Sequence, residues 1–247
     1  MHKKSLLPAA WKVPDVFRER LGDSPGRQRA MVHEGELLVV LHEPPTPDQE
    51  ERQGRFFWRK PDGTWASTTA APGHTALDKH LEEYDGLLDQ LDEEEDTAQS
   101  ADDYFELMRQ LNPLVRAIRN LHAVLQQARE KIPGDKRIIN YRDQAYTLER
   151  RAELLTSDAK NALDYAIARR AEEQAASSRQ MAVASHRLNL LAAFFLPIAT
   201  LTAIFGMNLR HGLEGQTSVS LAPFAAVLGT GLLAGILLMS FITRRGK

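Results

Sequence analysis

Cysteine is absent from the 247 residues, which excludes disulfides, thiolate metal centres and thiol redox chemistry and suits a body that faces the cytosol. Glycine and proline are missing between Gly134 and Pro197, so sixty-two residues run without a helix breaker. Arginine is missing from residues 78–106, where thirteen acidic side chains meet a single lysine. Such a block is a solvated face or a lure for cations, and it speaks against nucleic-acid binding. Glycine-rich phosphate loops, paired metal ligands on a helix and nucleophile elbows are absent too, so the chain is not read as an enzyme. His74 and His80, near Asp78, read as exposed residues at a helix start.

Charge is missing from two further stretches, although the chain is 26% charged with a mean hydropathy of -0.37. Residues 188–205 form one uncharged run of 18 and residues 219–242 another of 24. Both are near the roughly 20 residues that cross hydrocarbon as a helix, so two membrane spans are predicted. Met1-His2-Lys3-Lys4 is followed by few apolar residues before Trp11 and Lys12, which predicts a cytosolic N-terminus and no secretory signal. Arg179, His186 and Arg187 precede the first run, and Arg244, Arg245 and Lys247 follow the second. By the positive-inside rule both flanks face the cytoplasm of an inner-membrane protein, and residues 209–218 lie outside.

What is present upstream divides into two regions. "GELLVVLHEPP" reads as a buried strand ended by Pro44-Pro45, and "RFFWRKPDGTWAST" as two short strands around a Pro-Asp-Gly turn. A small α/β domain over 1–73 follows, short enough to need the helices after it. From Thr75 to Lys131 leucines recur at threes and fours, and Ser100 with Asp103 reads as a variant capping box opening the second of two antiparallel helices. The helical hairpin is placed at 74–132, and "KIPGDK" stops it.

The breaker-free stretch predicts a stalk helix over 135–208, roughly 90 Å of it before Pro197, that continues into the bilayer as the first span at about 188–207. The second span is placed at 219–243 and a basic tail at 244–247. Stepping along the stalk by alternating threes and fours selects Ser157, Asn161, Asp164, Ala168, Ala171, Ala175, Ser178, Ala182, Ser185, Asn189, Ala192, Leu196, Ala199, Ala203 and Gly206. Every member but Leu196 is small or polar. Three readings stay open for this seam: close helix packing, a pore wall shared by several copies, or chance in an alanine-rich segment. Asn189 favours a polar path, since an amide inside a span seldom faces lipid, and Leu196 would form a ring that dewets. Two spans cannot enclose a hydrophilic path, so a pore needs a homo-oligomer.

Gly206-Met207-Asn208 closing the first span, Phe195-Leu196-Pro197 eleven residues earlier, a short outer loop and a basic end together resemble the CorA family of divalent cation channels. "LNPLVRAIRNLHAVLQ" and "YRDQAYTLERRAELL" are similar to that family's cytosolic helices. The resemblance implies an α+β cytosolic domain, shortened at its N-terminus, followed by a long stalk helix and two transmembrane helices in a homopentamer. It implies an entrance in which Asn208, with the backbone of Gly206 and Met207, holds hydrated Mg²⁺. It also implies a pore lined by Ser185, Leu188, Asn189, Ala192, Leu196, Ala199 and Ala203, with Leu196 as gate, and Asp143 as a regulatory Mg²⁺ ligand between subunits. No cofactor is expected beyond transported and regulatory Mg²⁺, with Co²⁺ or Ni²⁺ as further cargo.

Ala199 stands where the family often carries threonine, and "LRHGLEGQTS" has one acidic residue beside Arg210 and His211. That loop admits a zinc-transporting branch of the same superfamily, with His211 either a ligand or plain surface. A membrane-anchored coiled-coil scaffold is the rival from another class. It accounts for the length of the stalk and leaves Gly206-Met207-Asn208 without a reason.

Overall fold

The computed structural model describes residues 6–46, 51–71, 73–206 and 222–245. They divide into two compact units, Met1–Ala168 and Arg169–Lys247. The first unit holds a short helix, α1 (Asp15–Glu19), four strands, β1 (Arg29–His33), β2 (Glu36–His42), β3 (Gly54–Arg59) and β4 (Trp65–Ser67), and the helices α2 (Thr75–Thr97) and α3 (Ala101–Lys131). A fourth helix, α4 (Lys136–Gly206), begins in the first unit and ends in the second, where α5 (Ala222–Arg245) follows it.

The strands form an antiparallel meander in the order β1-β2-β3-β4. Glu34 and Gly35 connect the first two with φ of 49° and 79°, the left-handed pair that a tight two-residue hairpin demands. The β2 sequence Leu37-Leu38-Val39-Val40-Leu41 lacks the alternation of a half-exposed strand because both of its faces are covered. Leu37, Val39 and Leu41 share a core with α2, α3 and the start of α4. Leu38 and Val40 pack with Met31, Phe56 and Trp58 under Leu7, Val13 and Phe17 of the N-terminal segment. The sheet and the helices therefore share one core, as expected for a strand region too short to stand alone.

Helix starts follow their side chains. Ser100 accepts from the Asp103 amide at 3.2 Å while the Asp103 carboxylate accepts from the Ser100 amide at 2.8 Å, the reciprocal box that opens α3. Asp135 accepts from the amides of Arg137 and Ile138 at the start of α4, and from Arg59 Nε at 2.6 Å. Burial alone would raise the Asp135 pKa, but these hydrogen bonds hold it below the usual carboxylate range. In its first turns α4 buries Ile138, Tyr141, Ala145, Leu148, Ala152, Leu155 and Ala159 at helical spacing.

One expectation is overturned here. His80 is fully buried rather than exposed, wedged between Phe57 and Tyr84 with ring centroids 5.6 and 5.3 Å away. Arg55 Nη1 lies 3.2 Å from His80 Nδ1 and is itself held by Glu83 at 2.7 Å, with Arg55 Nε on Glu43 at 3.1 Å. Burial, then the Arg55 charge, then His42 lower the His80 pKa to about 3. The ring is thus neutral near pH 7.

Candidate ion-conducting face

The second unit is built on the apolar end of α4. By length and composition this helix can cross a membrane, and α5 carries a shorter apolar segment, Ala225–Phe241. Two glycines of α5 set how closely the two helices approach. A Cβ built on Gly235 would sit 2.6 Å from the Phe194 carbonyl oxygen, and one on Gly231 would sit 3.2 Å from Ile198 Cα and 3.4 Å from Leu201 Cδ1. Gly231 and Gly235 are four residues apart, the small-xxx-small spacing that lets two apolar helices touch backbone to backbone.

This contact sorts the faces of α4. At 100° per residue, Phe194, Ile198 and Leu201 point about 170° away from the seam of Ser185, Asn189, Ala192, Leu196, Ala199 and Ala203. The seam is not what α5 covers: each of its six residues is exposed in the single chain, Leu196 by 66%. Leu188 is 67% exposed and sits roughly 60° off the seam, at its border. Close helix packing is one of the readings open for the seam, and within one chain the packing against α5 falls to the opposite face.

The seam is chemically bare. Between Asn189 and Ala203 its other side chains carry no polar atom, and no charge occurs from 188 to 205. The neighbouring hydroxyls are occupied: Thr200 Oγ1 donates to the Leu196 carbonyl at 2.8 Å and Thr202 Oγ1 to the Ile198 carbonyl at 2.9 Å. A path along the seam would thus present one amide, at Asn189, then methyl groups and the Leu196 isobutyl group. Gly206 is the last residue of α4, while Met207 and Asn208 lie outside the described residues, as does His211.

Asp143 belongs to the first unit, on α4, whereas the seam residues from Ser185 to Ala203 belong to the second. Its carboxylate is half exposed and 3.1 Å from Arg142 Nη1. Within the same unit Arg151 bridges Asp85 and Asp89, the latter at 2.6 Å. The Asp89 hydrogen bond first, and then the Asp85 and Asp89 charges, raise the Arg151 pKa further. Among the described residues, no group of three or more histidine or carboxylate side chains is arranged to hold a metal. In a single chain Asp143 and Asp89 are thus each met by an arginine. The glycine pair of α5 was not singled out in the sequence reading, although its spacing was visible there as "GLLAG".

Comparison with known proteins supplies the remaining findings. A family described as CorA-like Mg2+ transporter protein matches residues 68–245. Among solved structures, one described as the full-length CmaX protein superposes with a TM-score of 0.52 at 17% identity, covering 94% of this chain and 79% of that one. At that identity the likeness is one of fold. Another, described as the complete CorA magnesium transporter from Methanocaldococcus jannaschii, has a TM-score of 0.38 at 13% identity, covering 90% of this chain and 79% of that one. No curated protein matches the chain.

Proposed function

The chain belongs to the CorA-like Mg2+ transporter family, and on that premise we propose that it is a divalent cation channel carrying Mg²⁺ into the cytosol through a homopentamer. Mg²⁺ is the principal cargo of this reading, with Co²⁺ and Ni²⁺ as further ones. The observation that carries it is the small, uncharged face of α4 left open opposite α5. A single chain with two apolar helices has no interior for an ion, so that face acquires a function when copies meet around an axis. The spans are 188–207 and 219–243, with both termini in the cytoplasm.

The chemistry follows from the cargo. Mg²⁺ releases its waters reluctantly and keeps several of them when bound. A ring of neutral Asn208 amides, with the Gly206 and Met207 carbonyls, favours the hydrated ion through hydrogen bonds to those waters. Fixed carboxylates there would bind it tightly enough to slow release. Along the seam Ala203, Ala199 and Ala192 leave width for a hydrated ion, Asn189 offers an amide near the inner end, and Leu196 closes the path by excluding water. Asp143 and the acidic residues between 89 and 103 sense cytosolic Mg²⁺ at subunit boundaries, competing with the arginines that hold Asp143 and Asp89 within one chain.

Growth of a magnesium-import-deficient cell tests the reading. The wild-type chain should restore growth and Asn208→Ala should not, whereas a membrane-anchored scaffold restores it in neither form. Flux into liposomes with Mg²⁺, Co²⁺, Ni²⁺ and Zn²⁺, with and without a proton gradient, then separates a passive magnesium channel from a zinc transporter. Zinc flux that exceeds magnesium flux and follows the proton gradient would replace the magnesium reading with the zinc one.

A further inference from the structure

The side of α4 turned away from the seam carries a second feature. Arg187, Leu190, Leu191, Phe194 and Phe195 of α4, with Met239 of α5, line a groove of about 580 Å³. That volume is in the range of small-molecule sites, and every lining residue except Arg187 is apolar. Phe194 and Phe195, both in its wall, meet edge to face with centroids 5.1 Å apart. Arg187 stands at the other end, next to the first uncharged residue of the span, and among the described residues no carboxylate pairs with it. From Arg187 to Phe195 the helix rises about 12 Å, close to the roughly 15 Å depth of one hydrocarbon leaflet.

We propose that this groove is a site for one anionic phospholipid of the inner leaflet, its acyl chain lying along Leu191 and Phe195 and its phosphate against Arg187. This inference rests on the membrane-spanning reading of α4 and α5. The α4 residues of the groove point on average about 150° from the seam, with Phe195 at the near edge roughly 80° away, so an assembly that turns the seam to a common axis turns the groove outward to lipid. A basic side chain at the cytoplasmic end of an apolar groove between spans is matched in charge to an anionic headgroup and in depth to its tail. A second copy of the chain fits less well, because it would bury Arg187 without a counter-charge.

The test is lipid retention, scored without any flux. The full chain is purified from bilayers of phosphatidylcholine and phosphatidylglycerol in equal parts, and the lipids that stay bound are quantified by native mass spectrometry. Wild type should retain phosphatidylglycerol over phosphatidylcholine by about fivefold, the effect of one basic residue at a membrane surface. Arg187→Gln should erase the headgroup preference and keep the bound lipid. Leu191→Trp, which fills the groove, should lose both while gel filtration and thermal unfolding stay as in wild type. Equal retention of the two lipids by wild type, or an unchanged preference in Arg187→Gln, overturns the site. High-yield cross-linking between copies through a lone cysteine in Leu191→Cys overturns it as well, because protein then fills the groove. Bound phosphatidylglycerol in a chain that carries no ion leaves the site standing and removes the channel.

Discussion

The two ends of α4 use the same helix for opposite purposes. From Ile138 to Ala159 one apolar stripe, Ile138, Tyr141, Ala145, Leu148, Ala152, Leu155 and Ala159, turns inward to a core shared with α2, α3 and the sheet. In the second unit the large side chains Phe194, Ile198 and Leu201 meet α5, and the exposed face opposite them is made of small residues apart from Leu196. An exposed apolar face of this length would be a liability in water. It is admissible only where lipid or other copies of the chain replace water, and its small size suits the copies better than the lipid. The difference teaches that burial in one chain marks the fold at the first end and that exposure marks the function at the second.

The strongest way to break that contrast is at its outer limit. Asn208→Ala should cut magnesium uptake in liposomes at least about tenfold, a rise of ~1.4 kcal/mol or more in the barrier, while the cytosolic unit melts unchanged. Leu196→Ser should act in the opposite direction, raising basal flux severalfold, because a hydroxyl ring keeps the constriction wet. Gly235→Ala tests the covered face. With the Phe194 carbonyl 2.6 Å from the added carbon, α5 must shift, at about 1–3 kcal/mol, and Gly231→Ala should cost less.

At the other end, acid should loosen the first unit. His80 is neutral when folded, with a pKa of about 3, whereas the unfolded ring takes a proton near 6.5. The unfolded chain therefore binds more protons between those values, and its contribution to stability, complete above pH 6.5, falls as the pH drops from 6.5 toward 3. Thermal unfolding at pH 6.5 and 5 should show about 2 kcal/mol lost through this group, and His80→Phe should lose correspondingly less. Removing the α3 cap with Ser100→Ala is the smallest effect, near 1 kcal/mol.

Local chemistry was legible in the sequence because neighbours supply it. The Ser100 and Asp103 box, the Pro-Asp-Gly turn and the leucine spacing of α2 and α3 each depend on residues a few positions apart. β1 was not legible, since "RAMVH" alternates weakly and its partner is fixed by the Glu34-Gly35 turn and β2. His80 was misread because its burial comes from Phe57, twenty-three positions away, and from a side of α2 that only the fold identifies. At the candidate site the seam could be drawn from spacing alone. What it faces could not, because that depends on Gly231 and Gly235 meeting Ile198 and Phe194 across the two helices.

The absence of cysteine makes the central claim directly measurable, since any thiol introduced is unique. Single cysteines at Asn189, Ala192, Ala199 and Ala203, and at Phe194, Ile198 and Leu201, are treated with a membrane-impermeant thiol reagent during magnesium flux into liposomes. The channel reading predicts block at the first four and none at the last three. Block without regard to face, or none at the seam, would contradict it.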